Sequence, residues 1–317
     1  MACLLCKISN INHYLKAYHI VGRLKSSVNT VISDPAISKI HATLEWNGTN
    51  WLLTDLSTNG VWLNGKQVAR NIAIKLHLSD LISFSADDHH LYQLIDDSSP
   101  SDLLISEDHK TAISLDEYNL LPNDDEPEAS LFFDIVKGQW KFEHLDHINP
   151  EATIIDEGDT IRLSNQQWSL FTNSVLERTA IINPNSTLQS DISAVFNVSS
   201  DEEAVQLVLH TPNGVIDLKT RTHHYLLLLL ARKKLSDISH GLSTFDQGWV
   251  YSDDLCKDLG LEPCHMNIQV HRAKKQIVES TEPLQILDIF ERQAGKIRLS
   301  LNNIIINKGG EKELLSS

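Results

Sequence analysis

The chain has 317 residues, enough for two or three domains of ordinary size. With 41% hydrophobic and 22% charged residues it has the make-up of a globular protein, and its longest apolar run (225–231) falls far short of the roughly 20 residues a bilayer span needs. The formal charge of −15 argues against indiscriminate nucleic-acid binding, although residues 201–300, with 12 Lys+Arg against 14 Asp+Glu, are near neutral and leave room for a local basic face.

The start, Met1-Ala2-Cys3-Leu4-Leu5-Cys6-Lys7, lacks the basic lead and long apolar stretch of a secretory signal. Four cysteines at irregular spacing predict no disulfide framework, so the cytoplasm is the expected compartment, with no membrane partner. The first hundred residues read as all-β. Ala42, Leu44 and Trp46 alternate with polar residues, Asn47-Gly48 turns the chain, and Trp51 and Leu53 resume the alternation. Asn64-Gly65 between Val61-Trp62-Leu63 and Val68 signals a second hairpin, since both turn residues tolerate the positive φ of a type I′ turn. Short strands punctuated by turns predict a sandwich or barrel over 1–97.

Past Asp97-Ser98-Ser99-Pro100, the pattern Leu131-x-Phe133-x-Ile135, Gly138, Trp140-x-Phe142 echoes the 42–53 pattern 89 positions later. Residues 101–175 are therefore expected to be a second, shortened copy of the sandwich, the alternative being an unrelated small β domain. Residues 176–203 read as a Ser/Asn/Thr-rich linker, 204–301 as a mixed α+β domain, and 302–317 as a flexible tail.

Three elements of the first domain point to one site. Gly22-Arg23 follows an apolar strand, Ile37-Ser38-Lys39-Ile40-His41-Ala42 leads into the next, and Leu56-Ser57-Thr58-Asn59-Gly60 lies between two more. The order and spacing (Gly-Arg, then Ser-x-x-His, then Asn-Gly preceded by Ser or Thr) resemble those of forkhead-associated (FHA) domains over about residues 20–95. The resemblance implies phosphothreonine recognition, a threonine-phosphorylated protein as partner, and a Ser/Thr protein kinase upstream. The chemistry of the residues agrees. A phosphothreonine carries roughly −1.5 to −2 charges and three acceptor oxygens. Arg23 supplies a permanently charged fork, Ser38 a hydroxyl, Lys39 or Thr58 a further donor, and Asn59-Gly60 a contact to ligand backbone. The family pattern gives His41 a supporting role. On the 89-residue spacing, Pro127, Ser130 and Ile148 stand where Ser38, His41 and Asn59 stand in the first copy, so the second is expected to lack the site.

In the carboxy-terminal segment two strands (205–209 and 215–218) precede a helix from about Thr220 ending in Arg232-Lys233-Lys234. Ser252 caps a second helix that Gly260 ends, and Pro263 opens a third running to about Val278. Met266, Val270, Ala273 and Ile277 form one apolar stripe of the third helix; the opposite face carries Ile268, His271, Arg272 and Lys275, with Lys274 at its edge. A hairpin is predicted near Ala294-Gly295. This order resembles the winged-helix effector domain of OmpR-type response regulators, which implies double-stranded DNA as a partner, met by His271, Arg272, Lys274, Lys275, Arg292 and Lys296. The alternative is a winged helix that contacts protein.

Cys3-x-x-Cys6 is a lone pair whose members face opposite sides of a strand, and His89-His90 and His223-His224 are poorly placed for joint ligation. No phosphate loop, nucleophile elbow or HExxH helix is present, so no catalytic residue, metal or cofactor is expected. The expectation is a bacterial-style phosphothreonine-dependent signalling and transcription regulator, or alternatively a phosphopeptide adaptor, and not an enzyme.

Overall fold

A computed structural model of the chain describes residues 1–86, 89–135, 137–146, 151–173, 192–281, 289–293 and 295–313. The chain divides into two compact units. The first comprises Met1–Asp116 and Asp156–Ala180, the second Glu117–Ile155 and Ile181–Ser317.

The first unit contains a sandwich built from the alternating strands of the first hundred residues. One sheet runs in the order Thr30–Val31, Tyr18–Gly22, Ala42–Trp46, Trp51–Asp55, Ala73–Lys75. The other runs Asn12–Tyr14, Cys3–Cys6, Leu91–Asp96, Leu81–Ser83, Trp62–Leu63, Lys66–Gln67. Leu4, Val21, Leu44, Trp51, Leu53, Val61, Ile82, Phe84 and Leu94 fill one buried core, each such side chain stabilising the fold by roughly 1.5–3 kcal/mol. Asn64 and Gly65 take φ 51° and 77°, as the hairpin chemistry requires. The turn at Asn47 is a four-residue one, in which Asn47 Oδ1 accepts from the backbone of Thr49 and Asn50. A further four-stranded sheet in this unit has the order Ala112–Ser114, Leu103–Ser106, Gln166–Phe171, Thr160–Leu163.

The second unit holds the remaining strands of 101–175 as a four-stranded sheet, Tyr118–Leu121, Ala129–Asp134, Gln139–His144, Thr153–Ile155. The segment expected to be one domain is thus divided between the units. The second unit also contains helices α1 (His224–Ser239), α2 (Ser252–Leu259) and α3 (Pro263–Ser280). A three-stranded sheet has the order Val250–Tyr251, Lys296–Leu299, Phe290–Gln293. No described helix is long and apolar enough to cross a membrane.

Four expectations need correction. Within the stretch read as a 176–203 linker, Ser193–Val198 is a strand, and within the tail, Asn303–Lys308 and Glu311–Lys312 are strands; 174–191 and 314–317 lie outside the described residues. Ser193–Val198 pairs in parallel with Asn303–Lys308 at the middle of a five-stranded sheet, flanked by Val205–Thr211 and Gly214–Thr220 on one side and Glu311–Lys312 on the other. Ser/Asn-rich composition hid the alternation of Ala194, Phe196 and Val198, all buried. Helix α1 also begins later and ends later than expected, so Arg232 and Lys234 lie inside it rather than at its end. Arg232 pairs with Glu202 and Glu313 at 3.1 Å, and Lys234 Nζ donates to the carbonyls of Leu299 and Leu301 and to Asn302 Oδ1. Ser252 is the first helical residue of α2 and makes no side-chain cap, whereas Gly260 does end that helix with φ 65°.

Because Ile306 is 2% exposed in this central strand, Ile306→Ala should destabilise the second unit by about 2–5 kcal/mol. Urea unfolding measures it; an unchanged midpoint would mean the segment is a tail after all.

Candidate functional site

The loops at one end of the first sandwich bring Arg23, Ser38, Thr58 and Asn59 together. Strand Tyr18–Gly22 ends at a glycine because a Cβ there would run into the backbone carbonyl of Lys39. The close approach lets Arg23 N–H donate to Ser38 O (3.0 Å) and Leu24 N–H to Lys39 O (3.1 Å), so the two loops are joined backbone to backbone. Arg23 Nε donates to Ile37 O at 3.1 Å. That bond steadies the stem of the guanidinium and leaves its two terminal nitrogens for a ligand. Ser38 Oγ accepts the backbone N–H of Thr58 (3.1 Å) and lies 3.4 Å from Thr58 Oγ1, which sets both hydroxyls beside each other.

His41 lies beneath them, fully buried. Its Nδ1 accepts the Ser38 N–H at 2.9 Å, so the ring proton is on Nε2, which donates to Gly60 O at 3.2 Å. One neutral imidazole therefore ties the Ser38 loop to the Thr58 loop. Burial pushes its pKa below the usual histidine value, against the opposing pull of the Gly60 carbonyl. The second loop has its own supports, which the sequence reading passed over. Ser57 N–H donates to Asp55 Oδ1 and Gly60 N–H to Ser57 Oγ, both at 2.7 Å, and Asp55 and Ser57 are buried. Asp-x-Ser before Asn-Gly was the available signal, since Asp at the first position of a tight turn accepts from the backbone two residues on. Gly60 takes φ 105°. Asn59 Nδ2 donates to Ala36 O at 2.7 Å, so one of its two amide hydrogens is already used within the protein. Lys39 is exposed, and among the described residues nothing pairs with its ammonium.

The ladders of 118–144 revise the residue matching expected for a second copy. Val21 faces Ala42 in the first copy and Leu121 faces Ala129 in the second. Asn123 therefore stands where Arg23 stands. Counting back from the strand, Asp125 and Glu128 replace Ser38 and His41, in place of the expected Pro127 and Ser130. The 89-residue spacing holds only after the hairpin turn, because the second hairpin is one residue pair longer: Ala42 faces Asp55, but Ala129 faces His144. Ile148, the counterpart expected for Asn59, lies outside the described residues. The long loop that carries the phosphate-site residues shrinks here to an acidic one, 123–128, with no arginine or hydroxyl donor.

The proposed DNA-facing residues are placed otherwise than expected. Met266, Val270, Ala273 and Ile277 of α3 are buried, as their spacing requires. The opposite face is also covered, by the sheet of 118–144 within the same unit. His271 is fully buried: Nδ1 accepts from the Tyr118 hydroxyl, Nε2 lies 3.5 Å from Glu143, and burial pushes its pKa down to about 4. Asn267 Nδ2 donates to Leu145 O, and half-buried Arg292 donates to Asn267 Oδ1 at 2.9 Å. Arg272 donates to the carbonyls of Asp124 (2.8 Å) and Asp125 (3.2 Å), and Lys275 Nζ sits 2.6 Å from the Asp124 carboxylate. Lys274 lies over the Phe132 ring and Lys296 over Tyr251. A polar histidine and asparagine on a helix read as solvent-facing; here they bury because a second sheet supplies their partners. The paired histidines His223 and His224 likewise find one organic partner, both ring Nε2 atoms meeting Gln276 Oε1 at 2.7 and 2.9 Å.

Because His41 is held neutral in the fold, the unfolded chain takes up its proton first as pH falls. Stability from this ring is present above about 6.5 and lost below it. His41→Ala should remove about 1–3 kcal/mol and flatten the loss of stability between pH 7.5 and 5.5. Urea titrations of both proteins across that range check it; parallel pH profiles would show that the ring does not carry this linkage.

Residues 19–85 match the family model described as FHA domain. No curated protein matches the chain. Among solved structures, the chain is similar to Mycobacterium tuberculosis EmbR in complex with a low affinity phosphopeptide, at 27% identity over 31% of this chain, with TM-score 0.28; the match spans only 25% of that chain. It is similar to the FHA domain of the CT664 protein from Chlamydia trachomatis at 27% identity, over 30% of this chain and 98% of that one, with TM-score 0.26. It is also similar to the N-terminal FHA domain of S. cerevisiae Rad53p in complex with a phosphothreonine peptide, at 24% identity, over 29% of this chain and 89% of that one, with TM-score 0.27. Residues 19–85 are an FHA domain.

Proposed function

We propose that this chain binds a threonine-phosphorylated protein through its FHA domain and works as a phosphorylation-dependent adaptor, not as an enzyme. The observation that carries the reading is the convergence of the Arg23 guanidinium, Ser38 Oγ and Thr58 on loops locked together by His41. A phosphate monoester needs a charged fork and two or three neutral donors held in place before it arrives, and this arrangement supplies them. A Ser/Thr protein kinase must then act upstream on the partner. The second β segment and the winged-helix-like carboxy-terminal segment serve in this reading as protein-contacting parts.

The transcription-regulator reading required α3 to enter the DNA major groove. Its cations already meet Asp124 and the 124–125 carbonyls, and His271 faces Tyr118, which favours a helix committed to protein contacts. The test has two arms. Arg23→Ala should weaken a phosphothreonine peptide at least about 100-fold without shifting the thermal midpoint, since a charge-assisted bidentate contact is lost from an exposed side chain. Full-strength binding by that variant would remove the assignment. In the second arm, the intact chain should retain no defined sequence from a randomised DNA pool at low salt; enrichment of one site, weakened by salt, would restore the transcription-regulator reading.

A further inference from the structure

We infer that the FHA site selects phosphothreonine peptides with Asp or Glu on both sides of the phosphorylated residue; the inference rests on the phosphothreonine reading above. Residues 1–97 hold 8 Lys+Arg and 8 Asp+Glu, so this domain is neutral within a chain of charge −15. Its cations are not evenly spread. Arg23, Lys25, Lys39 and Arg70, half of the eight, are exposed on the loops at the phosphate end.

The topology puts them in a row. Strand neighbours in this sheet run Tyr18–Gly22, Ala42–Trp46, Trp51–Asp55, Ala73–Lys75. At the site end, the first strand leads out into Arg23 and Lys25, and the second is entered from Lys39. The third leads out to Thr58 and Asn59, and the fourth is entered from the loop carrying Arg70, whose backbone forms an isolated β-bridge with the backbone of Asp55. Three strand spacings of roughly 4.8 Å span about 14 Å, the length of about four extended residues. A peptide laid across the strand ends, with its phosphate at Arg23, Ser38 and Thr58, therefore passes Lys25 on one side and Arg70 on the other within two to four residues.

Among the described residues, the acids at this end do not cancel the row. Asp34 accepts from the Ala36 N–H at 2.7 Å and from His90 at 2.9 Å, and buried Asp55 accepts from Ser57. Among the described residues no ion pair engages Lys25, Lys39 or Arg70. Carboxylates flanking the phosphate would complete these pairs, whereas a lysine or arginine there would meet like charge within a Debye length of about 10 Å.

The test uses the intact chain and three phosphothreonine peptides of equal length, with acidic, neutral or basic residues at the flanking positions, and their unphosphorylated forms. At 50 mM salt the acidic peptide should bind about tenfold tighter than the neutral one and the basic one weaker still, with the spread shrinking at 500 mM. Lys25→Glu/Arg70→Glu should invert that ranking. Equal affinities of the three phosphopeptides, or a ranking untouched by the double variant, would overturn the inference and leave phosphothreonine recognition standing. Failure of all three to bind would remove the phosphothreonine reading, and this inference with it.

Discussion

The site depends on one buried ring. His41 takes a hydrogen bond from the Ser38 backbone and gives one to the Gly60 carbonyl, so loops that are distant in sequence become a single rigid surface. Ser38 and Thr58 sit on separate connections between strands, and the ring joins these connections from beneath while the Thr58 N–H to Ser38 Oγ bond joins them at the surface. An imidazole suits this position for an electrostatic reason. It must accept at one nitrogen and donate at the other, which only the neutral form does, and burial keeps it neutral. The Gly22 corner adds a second constraint. By admitting the Lys39 carbonyl against the backbone, it fixes where Arg23 leaves the strand.

In the second unit, the segment expected to belong to a second copy of the sandwich carries a short acidic loop, 123–128. Its Asp124 meets Lys275 and Arg272 of α3. This loop thus presents an anion to cations of the chain itself. Tyr118, Glu143 and His271 extend that contact into a buried polar cluster. Such a cluster is costly to separate, because each group taken from its partner is left unsatisfied away from water. That cost holds α3 against the 118–144 sheet.

The legibility of the sequence followed the physics of each segment. The first sandwich and the juxtaposition of Arg23, Ser38, Thr58 and Asn59 were readable because alternation, Asn-Gly turns and the Gly-Arg, Ser-x-x-His and Asn-Gly elements each impose a local geometry. Asp55 and Ser57 were missed because they act on backbone groups and touch no ligand. The apolar stripe of α3 was legible from its period, but its second buried face was not. His271 and Asn267 are polar, and a single-helix pattern carries no information about a sheet 120 residues earlier in the chain that satisfies them. The strands Ser193–Val198 and Asn303–Lys308 were misread for a related reason: their pairing is parallel and joins segments about 110 residues apart.

The central claim is that a phosphothreonine is received between Arg23, Ser38 and Thr58. The most direct measurement is a nuclear magnetic resonance titration of the intact, nitrogen-15-labelled chain with a phosphothreonine peptide and its unphosphorylated form. Arg23 Nε and the amides of Ser38, Thr58 and Asn59 should shift together and saturate with the phosphopeptide alone. Shifts confined to other residues, or the same shifts with the unphosphorylated peptide, would contradict it.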